Sequence, residues 1–274
     1  MALRPLEIQS ACPGLASGGN VRPMPGGEHP VSPLESDRRG SAVLAWVGGF
    51  VDAAGFLVLM GLFTAHMSGN STGLGVALAT GHWDEAIRRG FVIPIFVLAT
   101  MAGVAWIEVR TQSDPSEAVR NRAIADVLGA EVLMLAVFFA LGTWMGAPIS
   151  LTSRPGEFVA ATSAAAIAMG LQNAALRRVQ ATSVHTTFVT GMLTEFAVGI
   201  VRWILSSRRG NAEDARRARG VAEVAGLVWS TYAVGAVMGA WLVAHHGVRM
   251  ILVPAAILAL VALRLVRRRV VPET

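Results

Sequence analysis

Eight apolar segments, most of them about as long as a bilayer is thick, constrain this chain more than any other feature. They lie at 42–63, 66–81, 91–109, 124–146, 158–176, 184–205, 224–244 and 248–266. A helix needs roughly 20 apolar residues to cross the hydrocarbon core. Only 15% of the residues are charged, against about 25% in soluble domains. The sequence therefore predicts an all-α integral membrane protein, a helical bundle of about eight spans.

Two of these segments differ from the rest. The regions 64–81 and 184–205 are rich in Ser and Thr, and the first is short. We expect broken or re-entrant helices there, which leaves between six and eight true crossings. Irregular backbone at membrane depth is tolerated only inside protein or beside a water-filled cavity. Both segments should therefore lie within the bundle.

The arginines indicate how the chain is oriented. All 23 basic residues are Arg, and with eight spans both termini share one side. That side would hold Arg38, Arg39, Arg88, Arg89, Arg154, Arg208, Arg209, Arg216, Arg217, Arg219, Arg264, Arg267, Arg268 and Arg269. The other side would hold Arg110, Arg120, Arg122, Arg177, Arg178 and Arg249. This excess predicts cytoplasmic termini and explains the net charge of +5 better than nucleic-acid binding does.

The ends of the chain and its missing residue types exclude several kinds of chemistry. Residues 1–37 are rich in Pro, Gly and Ser and predict a disordered cytoplasmic tail. Cys12 is the single cysteine, so internal disulfides and thiolate metal sites are excluded. Without Lys, neither a Schiff base nor a P-loop can form. We expect no cofactor and no metal.

The membrane part of the chain resembles itself. "GGFVDAAGF" at 48–56 aligns with "MGLQNAAL" at 169–176, and "TAHMSGNST" at 64–72 with "TTFVTGMLT" at 186–194. A third block pairs 96–106 with 232–242. These matches predict two membrane repeats, 38–157 and 158–274, the second with a basic C-terminal end. Four spans per repeat would make the repeats parallel, whereas a three-span unit with an extra helix would make them inverted.

Asp52 is the most unusual side chain of the first span. It lies 10 residues into that span, where a central Asp costs roughly 2.5 to 3.5 kcal/mol even on the mildest scale. We expect it to face the bundle interior and to load and release a proton. The alternative is a neutral Asp52 that bonds to Asn173 or Ser68 and holds helices together.

Further polar residues accompany Asp52 in the repeated blocks. Glycine beside hydroxyl side chains permits a helix break whose freed backbone groups contact a ligand. Tight helix packing through Gly69 and Gly73 is the alternative. The candidate substrate-binding or ion-binding residues are Asp52, Ser68, Gly69, Asn70, Thr72, Gln172, Asn173, Thr190, Gly191, Thr194 and Glu195.

A second set of candidates would act as a proton relay or a cationic vestibule. It consists of His66, His185, Arg177 and Arg178. Interfacial anchoring of the histidines and snorkelling of the arginines are the alternatives. Another group of acids lies near the predicted span ends, where we expect solvation: Glu108, Asp126, Glu131 and Glu223.

Four motifs in order resemble the YoaK-like family of bacterial membrane proteins. They are Gly-x-x-Asp-Ala-x-Gly-Phe at 49–56, Met-Ser-Gly-Asn-Ser-Thr at 67–72, Gly-Leu-Gln-Asn-Ala-Ala at 170–175 and Val-His-Thr-Thr-Phe-Val-Thr-Gly-x-Leu-Thr at 184–194. The resemblance covers residues 40–268. It implies a helical inner-membrane protein, loosely described as a small-molecule transporter, and supplies neither a substrate nor a set of binding residues.

The favoured function is secondary transport or export of an unknown small molecule, with Asp52 as the proton-coupling residue. A non-catalytic membrane scaffold and a passive channel are the alternatives. An intramembrane serine hydrolase with Ser68 as nucleophile and His185 or His66 as base is less favoured, because Ser68 aligns with Thr190. We therefore expect no enzymatic activity. The expected partners are membrane lipid and the small molecule but no nucleic acid.

The oligomeric state is open. Gly235 and Gly239 are separated by three residues on one predicted span. Small residues at this spacing allow two helix backbones to approach closely. The pair would therefore suit a contact between two copies of the chain, in a homo-oligomer.

Overall fold

The computed structural model of the protein describes residues 38–152, 154–179 and 188–267. These ranges form the helices α1 (Arg38–Val58), α2 (Met67–Ala79), α3 (Trp83–Ser113), α4 (Glu117–Met145), α5 (Pro155–Val179), α6 (Phe188–Arg208), α7 (Ala212–His246) and α8 (Leu252–Arg267). A 3-10 turn, Val248–Ile251, leads into α8. The predicted all-α membrane bundle is confirmed. The predicted tail, 1–37, lies outside the described residues.

Six of the described helices are long and apolar enough to cross a bilayer. They are α1, α3, α4, α5, α7, and α8 together with the turn before it. The short helix α2 has 13 residues, or about 20 Å at 1.5 Å per residue, which is too short to cross. The described helices thus include six candidate spans, which is the lower limit of the predicted range of six to eight.

Glycines bring α1 and α7 into close contact. Gly235 packs on the carbonyl oxygen of Trp46, and Gly239 packs on that of Phe50. A Cβ added at either glycine would overlap the carbonyl oxygen. The contact moves from Trp46 to Phe50 on α1 as it moves from Gly235 to Gly239 on α7, so the two helices run parallel. The Gly235 and Gly239 pair is thus buried inside the chain, so the pattern does not mark an exposed contact between copies.

A second pair of parallel helices, α3 and α5, makes a similar crossing. A Cβ on Gly170 would lie 2.7 Å from the carbonyl oxygen of Phe96. A Cβ on Gly103 would lie 2.7 Å from the Cβ of Ala174. Small residues let these backbones approach as they do in other membrane helix pairs.

Two hydrogen bonds show that α1 and α5 are antiparallel. The Val58 carbonyl, at the end of α1, accepts from the backbone N–H of Ile149, just before α5 begins (2.9 Å). Towards the end of α5, Gln172 Nε2 donates to the Leu44 carbonyl near the start of α1 (2.5 Å). With the short connections between helices, α1, α4 and α7 end on one side of the bundle, where α3, α5 and α8 begin.

The arginines divide unequally between these two ends. The Arg-poor end, where α1, α4 and α7 finish, carries Arg88, Arg89, Arg154 and Arg249. The opposite, Arg-rich end carries Arg38, Arg39, Arg110, Arg120, Arg122, Arg208, Arg209, Arg216, Arg217, Arg219, Arg264 and Arg267. The α5 helix also finishes at the Arg-rich end. The two-sided assignment from eight spans is corrected accordingly, because losing two crossings reverses the side of every connection from 82 to 183.

The segment between α1 and α3 enters and leaves by the Arg-poor end. The Arg88 guanidinium, in the first turns of α3, donates to the Met60 carbonyl (2.6 Å). The α2 helix then packs antiparallel along α3, with Gly73 against Arg89. Residues 59–82 therefore form a re-entrant segment, as the sequence predicts for 64–81.

The helix α6 packs against α7 near the Arg-rich end, as α2 packs against α3 near the Arg-poor end. It runs antiparallel to α7, with Gly199 against Ala222 and Phe196 against Gly226. Near its start, Met192 joins a small buried cluster against which Tyr232 of α7 packs. The helix thus begins at depth and runs outward. The predicted break at 184–205 is described only from residue 188 onward.

The main buried core lies between α1, α3, α4, α5 and α8. Its largest fully buried side chains are Phe50, Phe138 and Phe158. The two helices that do not cross, α2 and α6, lie at its edges and pack chiefly against α3 and α7 respectively.

Candidate functional site

Asp52 accepts four hydrogen bonds at the centre of the candidate site. Its Oδ1 accepts from the Thr64 N–H (2.8 Å), the Thr64 hydroxyl (3.2 Å) and the Ala65 N–H (2.7 Å). Its Oδ2 accepts from the hydroxyl of Tyr232 (2.9 Å). The residue is only 3% exposed. These donors provide both oxygens of the buried carboxyl with hydrogen-bond partners.

These bonds arise because the backbone that follows α1 turns back into the bundle and is not helical again until Met67. After Val58 the chain turns through Met60 (φ 52°) and Gly61 (φ 86°), both left-handed, which Gly adopts without strain. The peptide groups that follow have no helical partner, and buried N–H groups must find acceptors. Asp52, one and a half turns before the end of α1, supplies the acceptor for two of them.

Asn70 fixes the same segment from the other side. Its Oδ1 accepts from the Phe63 N–H (3.2 Å), and its Nδ2 donates to the Phe63 carbonyl (2.7 Å). The side chain is fully buried. Because one amide satisfies both backbone groups of Phe63, Asn70 replaces the pairing that a helix would have provided.

Tyr232 connects this segment to the second half of the chain. It lies on α7 and packs against the cluster that contains Ala45 of α1 and Met192 of α6. Its hydroxyl reaches Asp52. The re-entrant segment, α1, α7 and the start of α6 therefore meet around one acid–phenol pair.

The other candidates in the first polar run lie apart from Asp52. Ser68 is exposed, and its Oγ is 3.4 Å from His66 Nε2. Gly69 leaves room for the His66 ring, since a Cβ there would come within 2.6 Å of it. Thr72 is exposed on α2. The structure thus brings Asn70 to the same segment that Asp52 holds, and leaves Ser68 and Thr72 on an outer face.

The candidates on α5 bond elsewhere. Gln172 is 4% exposed and reaches the Leu44 carbonyl. Asn173 Nδ2 donates to the Met169 carbonyl of its own helix (3.3 Å). The bonds of Asp52 go to Thr64, Ala65 and Tyr232, and not to Asn173 or Ser68 as the helix-holding alternative supposed.

The remaining candidates lie on α6 or outside the described residues. Thr190 and Thr194 are exposed, with the Thr194 hydroxyl donating to the Thr190 carbonyl (3.0 Å), and Gly191 is buried. Glu195 is half-buried. His185 lies outside the described residues, as do the side chains of Arg177 and Arg178. Over the described ranges, no cluster of three His, Cys, Asp or Glu side chains is placed to hold a metal ion.

Three important residues were missed from the sequence. Tyr232 is the only tyrosine in the chain. A phenol hydroxyl in an apolar span usually needs a hydrogen-bond partner, and this signal could have identified Tyr232. Thr64 offered none, because nothing local connects its N–H and hydroxyl to an acid 12 residues earlier. Glu131 was expected to be solvated near a span end, and this is wrong: it is completely buried, midway along α4.

Comparisons with known proteins agree with the membrane assignment. The family model described as "Protein of unknown function (DUF1275)" matches residues 40–264. This is the YoaK-like family that the four motifs predict. The chain is similar to the UPF0700 transmembrane protein RA0705 of Rhizobium meliloti (strain 1021), with 27% identity over 230 residues, which cover 83% of this chain and 86% of that protein. No solved structure matches the chain.

Proposed function

The chain belongs to the DUF1275 family of proteins of unknown function, and we propose that it is a secondary transporter, moving a small molecule across the bacterial inner membrane. One observation carries this proposal. A carboxyl group at membrane depth, Asp52, holds a re-entrant backbone segment of the first half and a phenol of the second half together. Discontinuous helices with an internal acid are the usual construction of ion-coupled transport sites.

The four bonds give Asp52 a means of coupling. All of its partners donate, so they hold the ionised carboxylate more strongly than the neutral acid. When Asp52 takes up a proton, one of its oxygens becomes a donor and its hold on Thr64, Ala65 and Tyr232 weakens. Protonation would therefore favour a conformation in which the re-entrant segment and α7 separate.

The helix crossings support an inverted arrangement of the two predicted repeats. The sequence alignment pairs Gly49 with Gly170 and Phe96 with Tyr232. Gly49 packs on the Tyr232 carbonyl, and Gly170 packs on the Phe96 carbonyl. The first helix of each half thus contacts the third helix of the other half through aligned residues. Antiparallel α1 and α5, with three crossings per half, correspond to an inverted pair.

The second half indicates that the acid–phenol pair is not needed for packing. At the aligned positions Asn173 stands for Asp52 and Phe96 for Tyr232. The crossing of α3 and α5 is nevertheless close, and Asn173 bonds within its own helix. The crossing of α3 and α5 packs closely without such a hydrogen bond. The bond at the crossing of α1 and α7 is therefore available to serve transport.

We further propose that the Arg-rich end faces the cytoplasm, which places both termini there. This orientation assigns Arg177 and Arg178, at the end of α5, to the cytoplasmic side. Cysteines introduced one at a time into a Cys12→Ser chain would test it. We expect Ser150→Cys to react with an impermeant maleimide from outside, and Ser113→Cys only from the cytoplasm. Eight crossings would give the opposite result at both positions.

The transport proposal is tested with proteoliposomes that contain a pH-sensitive dye and are challenged with pooled small metabolites. Wild type is compared with Asp52→Asn and with Asn173→Ala, the aligned position in the second half. We expect a solute-evoked proton flux in wild type and Asn173→Ala that is lost in Asp52→Asn. Uptake without proton movement, alike in all three proteins, would contradict proton coupling and leave a passive channel.

The other functions predict different results. A non-catalytic scaffold predicts no flux in any variant and full function in cells that carry Asp52→Asn. The hydrolase alternative has the Ser68 and His66 contact in its favour, and a fluorophosphonate probe should then label Ser68. We propose that this label is absent.

A further inference from the structure

A second buried acid, Glu131, lies on α4 in a different environment from Asp52. The side chain is fully buried. Both of its carboxyl oxygens lack a hydrogen-bond partner among the described residues. It lies midway along α4 (Glu117–Met145), about 21 Å from either helix end at 1.5 Å per residue. This depth places Glu131 near the middle of the membrane.

Among the residues that the structure describes, no cation lies where it could pair with Glu131. The helix α4 packs against α3, α5, α8 and the turn Val248–Ile251. The facing stretches 90–107, 158–176 and 252–263 contain no titratable side chain. The charged groups of these elements and of α4 lie towards the helix ends: Asp84, Glu85, Arg88, Arg89, Glu108, Arg110, Glu117, Arg120, Arg122, Asp126, Glu157, Arg177, Arg178, Arg249, Arg264 and Arg267.

Three further buried oxygen atoms on α4 and α5 also lack a described partner. They are Thr162 Oγ1 and Gln172 Oε1 on α5, and Asn121 Oδ1 on α4. Gly103 of α3 faces both α4 and α5 at the same height along the bundle. Gln172 and Glu131 therefore lie within about one helical turn of each other along the bundle axis. Unpaired oxygens would repel an anion, whereas a proton on the carboxyl would give Glu131 a donor of its own.

We propose that Glu131 is a proton-binding site, occupied in this conformation and separate from the Asp52 network. Binding forms one O–H bond on the carboxylate and changes no other bond. An ionised carboxylate with neither oxygen hydrogen-bonded is strongly disfavoured in an apolar interior. The two buried acids therefore differ in environment: four donors surround the Asp52 carboxyl, and no described donor reaches that of Glu131.

The proposal is tested on the full chain in lipid vesicles at near-neutral pH. Infrared spectroscopy detects the carbonyl stretch of a protonated carboxylic acid in a dry environment. We expect this band in wild type and in Asp52→Asn, and its loss in Glu131→Gln. A band that persists in Glu131→Gln, or that disappears in Asp52→Asn while Glu131 is intact, would overturn the assignment.

A second measurement needs no variant. Dicyclohexylcarbodiimide enters membranes and reacts with protonated carboxyl groups there, and mass spectrometry locates the product. We expect the label on Glu131 and not on Asp52, with no protection by sodium ions. Label on Asp52 alone, no label at all, or protection by sodium would contradict a proton site. Neither measurement uses the transported solute, so its outcome is independent of the transport proposal.

Discussion

The hydrogen bonds of Asp52 make Asp52→Asn the most informative single substitution in the chain. The change preserves the shape of the side chain and removes its charge. The amide oxygen can still accept from Thr64 and Ala65, as Oδ1 does now. The amide NH₂ takes the place of Oδ2 and cannot accept from the Tyr232 hydroxyl.

The expected loss follows from these four bonds. A hydrogen bond to a charged group contributes about 1.5–3 kcal/mol, and one between neutral groups about 0.5–1.5 kcal/mol. Three bonds to Oδ1 would each weaken by about 1 kcal/mol, and the bond from Tyr232 to a carboxylate would be replaced at best by a neutral one from the amide NH₂ to the phenol oxygen. We therefore expect the free energy of unfolding to fall by about 4–6 kcal/mol in Asp52→Asn and by about 1.5–3 kcal/mol in Tyr232→Phe.

The assay is equilibrium unfolding in mixed micelles, with the denaturing detergent as the variable. The chain has 7 Trp residues, so their fluorescence reports the transition. Ser68→Ala is the matched control, because Ser68 lies in the same segment but is exposed. A surface change of this kind should stay within about 0.5 kcal/mol of wild type.

The double variant provides the decisive comparison. If Asp52 and Tyr232 bond to each other, the second substitution costs less than it does alone, and the coupling energy should be about 1.5–3 kcal/mol. A loss below about 1 kcal/mol in Asp52→Asn, or additive effects in the double variant, would refute an ionised Asp52 with four donors.

Three more predictions concern packing, the re-entrant segment and the second acid. Gly49→Ala should lower the free energy of unfolding by about 1–3 kcal/mol by separating α1 from α7, whereas Gly129→Ala, with open space around it, should not. Asn70→Ala should speed amide hydrogen exchange at 59–66 while leaving the middle of α4 unchanged, because the Phe63 amide loses its acceptor; equal protection would contradict its role. Glu131→Gln should change the free energy of unfolding by less than about 1 kcal/mol, since an amide resembles a protonated acid; a loss like that of Asp52→Asn would indicate an ionised Glu131.

The number of crossings shows where sequence reasoning ends. Hydropathy identifies apolar segments well, but it does not show whether a segment passes through or turns back. The sequence already argued against eight crossings, because Arg177 and Arg178 would then fall on the outer side. The bond between Ile149 and Val58 and the contact of Arg88 with Met60 resolve the conflict, because they show where α1 ends and α3 begins.

The candidate site could be predicted only in part, because a local pattern does not show which distant residues meet. An acid such as Asp52 in an apolar span is conspicuous on its own, and its burial follows from the cost of exposing it to lipid. Its partner Tyr232 is 180 residues away, so no local pattern connects the two. Glu131 was misjudged because the predicted boundary of its span began at 124, while the helix begins at Glu117.

By itself, the sequence determined that this protein is a helical membrane protein of one family, with polar residues gathered in the segments 64–81 and 184–205. These properties are local, because a bilayer imposes its demands on about 20 consecutive residues at a time. The tertiary structure alone decided that residues 59–82 turn back beside α3, that Asp52 meets four donors, and that Glu131 meets no described donor. Those facts depend on which helix lies beside which, and distant glycines and carbonyl groups set that arrangement.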